Sequence, residues 1–142
     1  MSTLETAEQL IEDFEVLRDS ERLDLLLEFS EALPELPARY ADHPELLERV
    51  EECQSPIFLF VEIDSGGLTR LFFSAPPESP TTRGFASLLF SVIDGLPVAD
   101  AMNFDLDFPF KLSLSSAVSA LRLRGMLGIL SRIKRQLREK SA

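Results

Sequence analysis

The run Ile57-Phe58-Leu59-Phe60-Val61-Glu62-Ile63 is apolar except for Glu62 and rich in aromatic and β-branched side chains. Asp64-Ser65-Gly66-Gly67 follows, and then Thr69 to Ser74. Two strand-like runs joined by turn-forming residues predict a β-hairpin. This hairpin is the clearest β signal in the chain, and it lies between stretches patterned as helices. A sheet seeded here must be small, antiparallel and covered by helices, which predicts an α+β fold.

The helical stretches are read from their apolar spacing. Leu4, Ala7, Ile11, Phe14 and Leu17 recur at helical intervals with acids opposite. Ser20 is placed to cap a second helix carrying Leu23, Leu26, Leu27 and Leu33, which must end near Pro34. A short helical piece is expected from Pro44 to Glu48. After the hairpin, Ser79-Pro80 reads as an N-cap with proline in the first turn, opening a helix with Phe85, Leu88, Leu89, Val92 and Ile93 inward and Gly95 at its end. A short helix is expected over Pro97 to Met102. Phe104, Leu106, Phe108, Phe110, Leu112 and Leu114 alternate as a strand would, but Pro109 argues against a central strand. That segment stays open between strand, helix and irregular chain. A long C-terminal helix closes the sequence, with Leu123, Met126, Leu127, Leu130, Ile133 and Leu137 on one face. The expected architecture is a single domain over residues 1–142, with about three antiparallel strands packed against several helices. A chain of 142 residues can bury one core without disulfides or metal.

Charge is unevenly spread. The formal net charge is −10, yet residues 1–52 hold sixteen acids against four Lys/Arg, while residues 111–142 hold Glu139 against eight basic residues. The acidic remainder repels phosphate, so a nucleic-acid partner is not expected. The basic helix is expected to rest near the acidic early helices or to dock another protein. No apolar run approaches the ~20 residues of a membrane span, so no membrane is expected. The opening Met1-Ser2-Thr3-Leu4-Glu5-Thr6 has neither a basic region nor an apolar core and does not read as a signal peptide. With one cysteine, this points to the reducing cytoplasm.

That cysteine, Cys53, stands where an acidic stretch meets the apolar strand, in Val50-Glu51-Glu52-Cys53-Gln54-Ser55-Pro56. A lone cysteine makes neither an internal disulfide nor a four-ligand metal site. Two uses remain, inert packing and single-thiolate chemistry, and its polar neighbours favour a loop that presents a nucleophile. The only histidine, His43, ten residues upstream, would have to reach Cys53 to make a hydrolase pair. Neither a phosphate-binding glycine loop nor a dinucleotide fingerprint is present. Gly84, after Arg83, and Gly125, three residues after Arg122, interrupt helical patterns, and each predicts close packing against another backbone.

Several pieces in order carry a resemblance: Leu33-Pro34, Cys53-Gln54-Ser55 entering a strand, Arg83-Gly84-Phe85, Asn103-Phe104-Asp105, Arg122-x-x-Gly125-Met126 and Ile133-Lys134. Together the chain resembles the SufE family of sulfur-acceptor proteins, which assist cysteine desulfurases in iron–sulfur cluster assembly. The resemblance implies transpersulfidation, with Cys53 as the persulfide-carrying nucleophile and Arg122 as a contact for the thiolate or the partner. It implies a cysteine desulfurase and an iron–sulfur scaffold complex as partners, and an accessory role rather than an independent enzyme. No cofactor is expected, since pyridoxal phosphate belongs to the desulfurase. The alternative is an adaptor of the same fold that binds proteins without transferring sulfur. Glu52 stands where the family commonly has glycine, and Pro56 and Phe58 replace more usual residues at the strand start. Glu51 and Glu52 are expected to raise the thiol pKa, leaving the free protein modestly reactive until a partner supplies positive charge.

Overall fold

The computed structural model describes residues 3–141, with side chains from residue 6 onward. Met1 and Ser2, and the side chain of Leu4, lie outside the described residues. The element order is α1 (Thr3–Glu15), α2 (Asp19–Glu31), α3 (Ala38–Ala41), β1 (Glu48–Arg49), β2 (Phe58–Ile63), β3 (Thr69–Ser74), α4 (Pro80–Ile93), α5 (Val98–Met102) and α6 (Ala120–Ser141). Single 3-10 turns cover Pro44–Leu46 and Phe108–Lys111. The strands form one antiparallel sheet in the order β1-β2-β3. This is the α+β fold expected, with a long C-terminal helix.

The hairpin register places Leu59 opposite Phe73 and Val61 opposite Leu71, so all four side chains share one face and are buried. That face packs against α4 and α6, while α1 and α2 cover the other side of α4. Helix α4 therefore lies inside the molecule, and its run from Gly84 to Leu89 is buried throughout. A continuous run of that kind is what a helix covered on several sides requires. On the second face of the sheet, Tyr40 of α3 lies 4.9 Å from the rings of both Phe60 and Phe72, and its hydroxyl bonds Glu62.

Strand β1 ends where Val50 N–H donates to the Ile57 carbonyl. Farther along β2, side chains of α6 take over: Val61 N–H donates to Gln136 Oε1, and Lys140 Nζ donates to the Val61 carbonyl. Along the outer edge of β3, Thr69 N–H donates to Leu96 O, Gly95 N–H to Thr69 O and Leu71 N–H to Asp94 Oδ1. Both edges are thus occupied at these positions.

Three local expectations are corrected, and the segment left open is settled. Ser20 is not the cap of α2: Arg18 holds the N-cap position, and Glu21 Oε1 accepts its backbone N–H at 3.1 Å. The carboxylate three residues in thus serves the N-cap N–H, one half of a capping box. The helical piece at Pro44 stops at Leu46, and Glu48 belongs to β1, drawn into the sheet by pairing with Leu59. Residues 104–114 form no strand. Phe104, Phe108, Leu112 and Leu114 are buried while Leu106 and Phe110 are half exposed, so burial does not follow the alternation. The 3-10 turn holds Pro109, and Ser113 takes a left-handed φ of 57°. Finally, the basic face of α6 pairs with Glu48 and Glu52, in the segment just before β2, rather than with the acidic early helices.

Candidate functional site

Cys53 follows a tight turn whose N–H donates to Val50 O at 3.1 Å. The turn is possible because β1 has just ended and β2 has not begun, leaving residues 51–57 outside the sheet ladder apart from the Val50–Ile57 bond. Glu51, Glu52 and Gln54 are exposed, whereas Cys53 is turned inward and only 8% exposed.

What it turns toward is α6. The Sγ lies 3.5 Å from the carbonyl of Gly125, within reach of a weak S–H donor bond. A Cβ at Gly125 would stand 3.1 Å from that sulfur and 3.7 Å from Cys53 Cα. One turn along, a Cβ at Gly128 would collide with Glu52 Cβ at 2.6 Å. The turn can rest on the helix only because both positions lack side chains. Gly84 has the same logic in α4, where a Cβ would meet Leu26 O at 2.6 Å. The close approaches predicted for Gly84 and Gly125 are therefore present. Gly128 and its role were not foreseen, although it lies three residues from Gly125 and so on the same side of the helix.

Beside the thiol is a cavity of ≈ 40 Å³, bounded by Gln54, Ser55, Thr82, Phe85, Leu121 and Arg122. Arg122 thus borders the same hollow as Cys53. His43 does not: its ring is exposed, bonded to Glu45 at 3.1 Å, and it is not among the residues lining this cavity. His43 is a surface residue at the start of the 3-10 turn, so the condition for a hydrolase pair, a general base within reach of its nucleophile, is not met. Among the described residues no group of three or more His, Cys, Asp or Glu stands close enough to hold a metal ion. Nor is any described helix long and apolar enough to cross a membrane.

Burial pushes the Cys53 thiol up to about 11; the Glu52 carboxylate adds to the rise, and the Arg132 guanidinium opposes it. Arg132 lies seven residues beyond Gly125, again on the same face of α6. Its Nη2 and Nε bond Glu52 Oε1 at 2.6 and 2.8 Å, and its Nη1 bonds Glu48 Oε2 at 2.6 Å. Glu48 also accepts from Arg135 and, at 2.9 Å, from Gln136. The sequence offered Arg132 only as one charge of a basic helix. Its distinguishing signal is the spacing Gly125, Gly128, Arg132, which sets two gaps and a cation in line.

Fold and site together define a small α+β protein whose one thiol rests in a turn cradled by glycines of the last helix. The chain belongs to the SufE family: the family model for the Fe-S metabolism associated domain matches residues 8–137. It is 47% identical to an uncharacterized SufE-like protein of Mycobacterium tuberculosis over 131 residues, covering 92% of this chain and 90% of that one. It is 27% identical to a chloroplastic/mitochondrial SufE-like protein of Arabidopsis thaliana over 88 residues, covering 62% of this chain and 23% of the plant protein. Its fold matches the solution structure of a hypothetical protein from Thermus thermophilus with a TM-score of 0.80 and 33% identity, covering 94% and 93% of the two chains.

Proposed function

We propose that this chain accepts sulfur from a cysteine desulfurase onto Cys53, stimulates that enzyme and delivers the sulfur for iron–sulfur cluster assembly. The observation that carries the reading is the position of the chain's only thiol, on a turn outside the sheet and beside a cavity bordered by Arg122. Membership of a family associated with Fe–S metabolism supplies the setting.

In the reaction, the Cys53 thiolate attacks the outer sulfur of the desulfurase persulfide. A new S–S bond forms on Cys53, the donor S–S bond breaks, and the donor cysteine leaves as a thiolate. Cys53 releases one proton in becoming nucleophilic, and the departing thiolate can take one up. The transferred sulfur keeps its oxidation state, so no external oxidant or reductant is needed. Arg122 at the cavity rim supports the negative charge on Cys53 or contacts the donor. With no second cysteine, the persulfide cannot be resolved within the chain.

Two features make the free protein a reluctant nucleophile. Burial holds the Cys53 pKa up at about 11, so the thiol is protonated at neutral pH. Cys53 is only 8% exposed and the cavity beside it is ≈ 40 Å³, so the turn moves outward for the donor sulfur to reach Sγ. A partner that draws the turn out relieves the burial that raises the pKa, coupling access to reactivity.

Mixing the protein with a desulfurase and free cysteine should add one sulfur to Cys53, seen by intact-mass spectrometry, and should accelerate sulfide release. Cys53→Ser abolishes the adduct with the fold retained, and Arg122→Ala slows its formation roughly tenfold. No adduct and no stimulation across several desulfurases ends this reading. Salt-sensitive partner binding that survives Cys53→Ser, without sulfur transfer, would instead establish an adaptor.

A further inference from the structure

Arg132 grips both ends of the segment that leads to the thiol. Its guanidinium holds Glu48 through Nη1 and Glu52 through Nε and Nη2; Arg135 and Gln136 also hold Glu48, while Arg132 holds Glu52. On Glu52, Nε and Nη2 converge on Oε1 at 2.8 and 2.6 Å and Nε also reaches Oε2 at 3.2 Å, so the carboxylate is held by charge-assisted bonds from two guanidinium nitrogens. Glu52 itself lies where a side chain at position 128 would begin: an added Cβ would be 2.6, 2.8 and 2.9 Å from its Cβ, Cγ and Cδ. The missing side chain and the cation one turn farther on act on the same residue. Without these bonds to Glu52, Cys53 keeps the weak contact of its Sγ with the Gly125 carbonyl and its apolar packing.

We propose that the Glu52–Arg132 pair is a latch that holds the Cys53 turn shut against α6, with Arg132 a positioning residue that governs access to the thiol. The latch is built from Glu52 on the turn and Arg132 on α6. Its consequence for sulfur acceptance rests on the function proposed above, while the latch itself is a property of the free protein.

Electrostatics and latching predict opposite effects for one substitution. Arg132 lowers the Cys53 pKa, so by charge alone Arg132→Gln makes the thiol less acidic and slows its alkylation. If Arg132 is the latch, the same change frees the turn and alkylation accelerates. The experiment follows the iodoacetamide reaction of the full chain alone at one fixed pH, together with amide hydrogen exchange over residues 51–55. Arg132→Gln and Glu52→Gln should each raise both rates roughly tenfold, the loss expected for a paired charge-assisted contact. Arg132→Lys should fall between, and the double variant should be no faster than the faster single one. Slowed or unchanged alkylation in Arg132→Gln, with unchanged exchange, overturns the proposal. Should Arg132→Gln not fold, Glu52→Gln decides, because it leaves the Glu48 pairs in place; unchanged exchange there also overturns it. No desulfurase enters the assay, so this outcome is independent of the sulfur-transfer test.

Discussion

Three residues set the state of the thiol: Gly125 admits it, Glu52 opposes its ionisation and Arg132 partly favours it. Burial dominates, which fixes the direction of two measurements. The alkylation rate of Cys53 should keep rising with pH to a midpoint near 11, well past the ordinary thiol range. Because the folded pKa lies above the unfolded one, the folded protein binds the proton more tightly between them. Stability from this group is therefore full below the unfolded pKa and is lost as pH rises through the folded one. Cys53→Ser should flatten the alkaline limb of a stability–pH curve recorded by chemical denaturation. Of this site the sequence shows the thiol, its polar neighbours and the need for a small residue at position 125. It does not show that burial outweighs those neighbours, because the covering face comes from a helix about seventy residues later. Glu52 is legible as a charge that raises the thiol pKa, but its seat on Gly128 is a fact of packing.

Among the elements, α4 is the most tightly committed. Gly84 faces the backbone of Leu26 so closely that an alanine cannot be accepted by moving a flexible side-chain end. Gly84→Ala gains about 1 kcal/mol of helix propensity, yet forcing α2 and α4 apart should leave a net loss of about 1–3 kcal/mol. A fall in the denaturant midpoint at constant slope would register it; a rise would show that α2 gives way easily. The hairpin and α4 were readable beforehand because each carries one unambiguous period. Residues 104–114 were not, because their alternation reads as a strand while Pro109 argues against one. The choice is made by what lies outside the segment: Lys134 of α6 donates to the carbonyls of Met102 and Phe104, and the rings of Phe104 and Phe108 meet edge-on at 5.3 Å.

At the scale of the molecule, the opposed charge of the two ends is used locally, where Glu48 joins β1 to the last helix. Burial alone would raise the Glu48 pKa, but hydrogen bonds from Arg135, Arg132 and Gln136 outweigh it and hold the carboxyl below its usual range. A lowered carboxylate contributes stability above its unfolded pKa and loses it as pH falls. Thermal unfolding followed from about pH 5 downward should show a decline that Glu48→Gln makes shallower. At neutral pH that variant should cost about 1–2 kcal/mol. The sequence exposes the charge imbalance but not this junction, since a two-residue strand has too little pattern to announce itself. The way Gln136, Lys140 and Asp94 complete the main-chain bonding of Val61 and Leu71 bears on how this molecule meets others. A visiting peptide finds no vacant row of amides there to zip onto, so recruitment by β-augmentation is closed at those positions. At those positions a partner has only side chains to recognise.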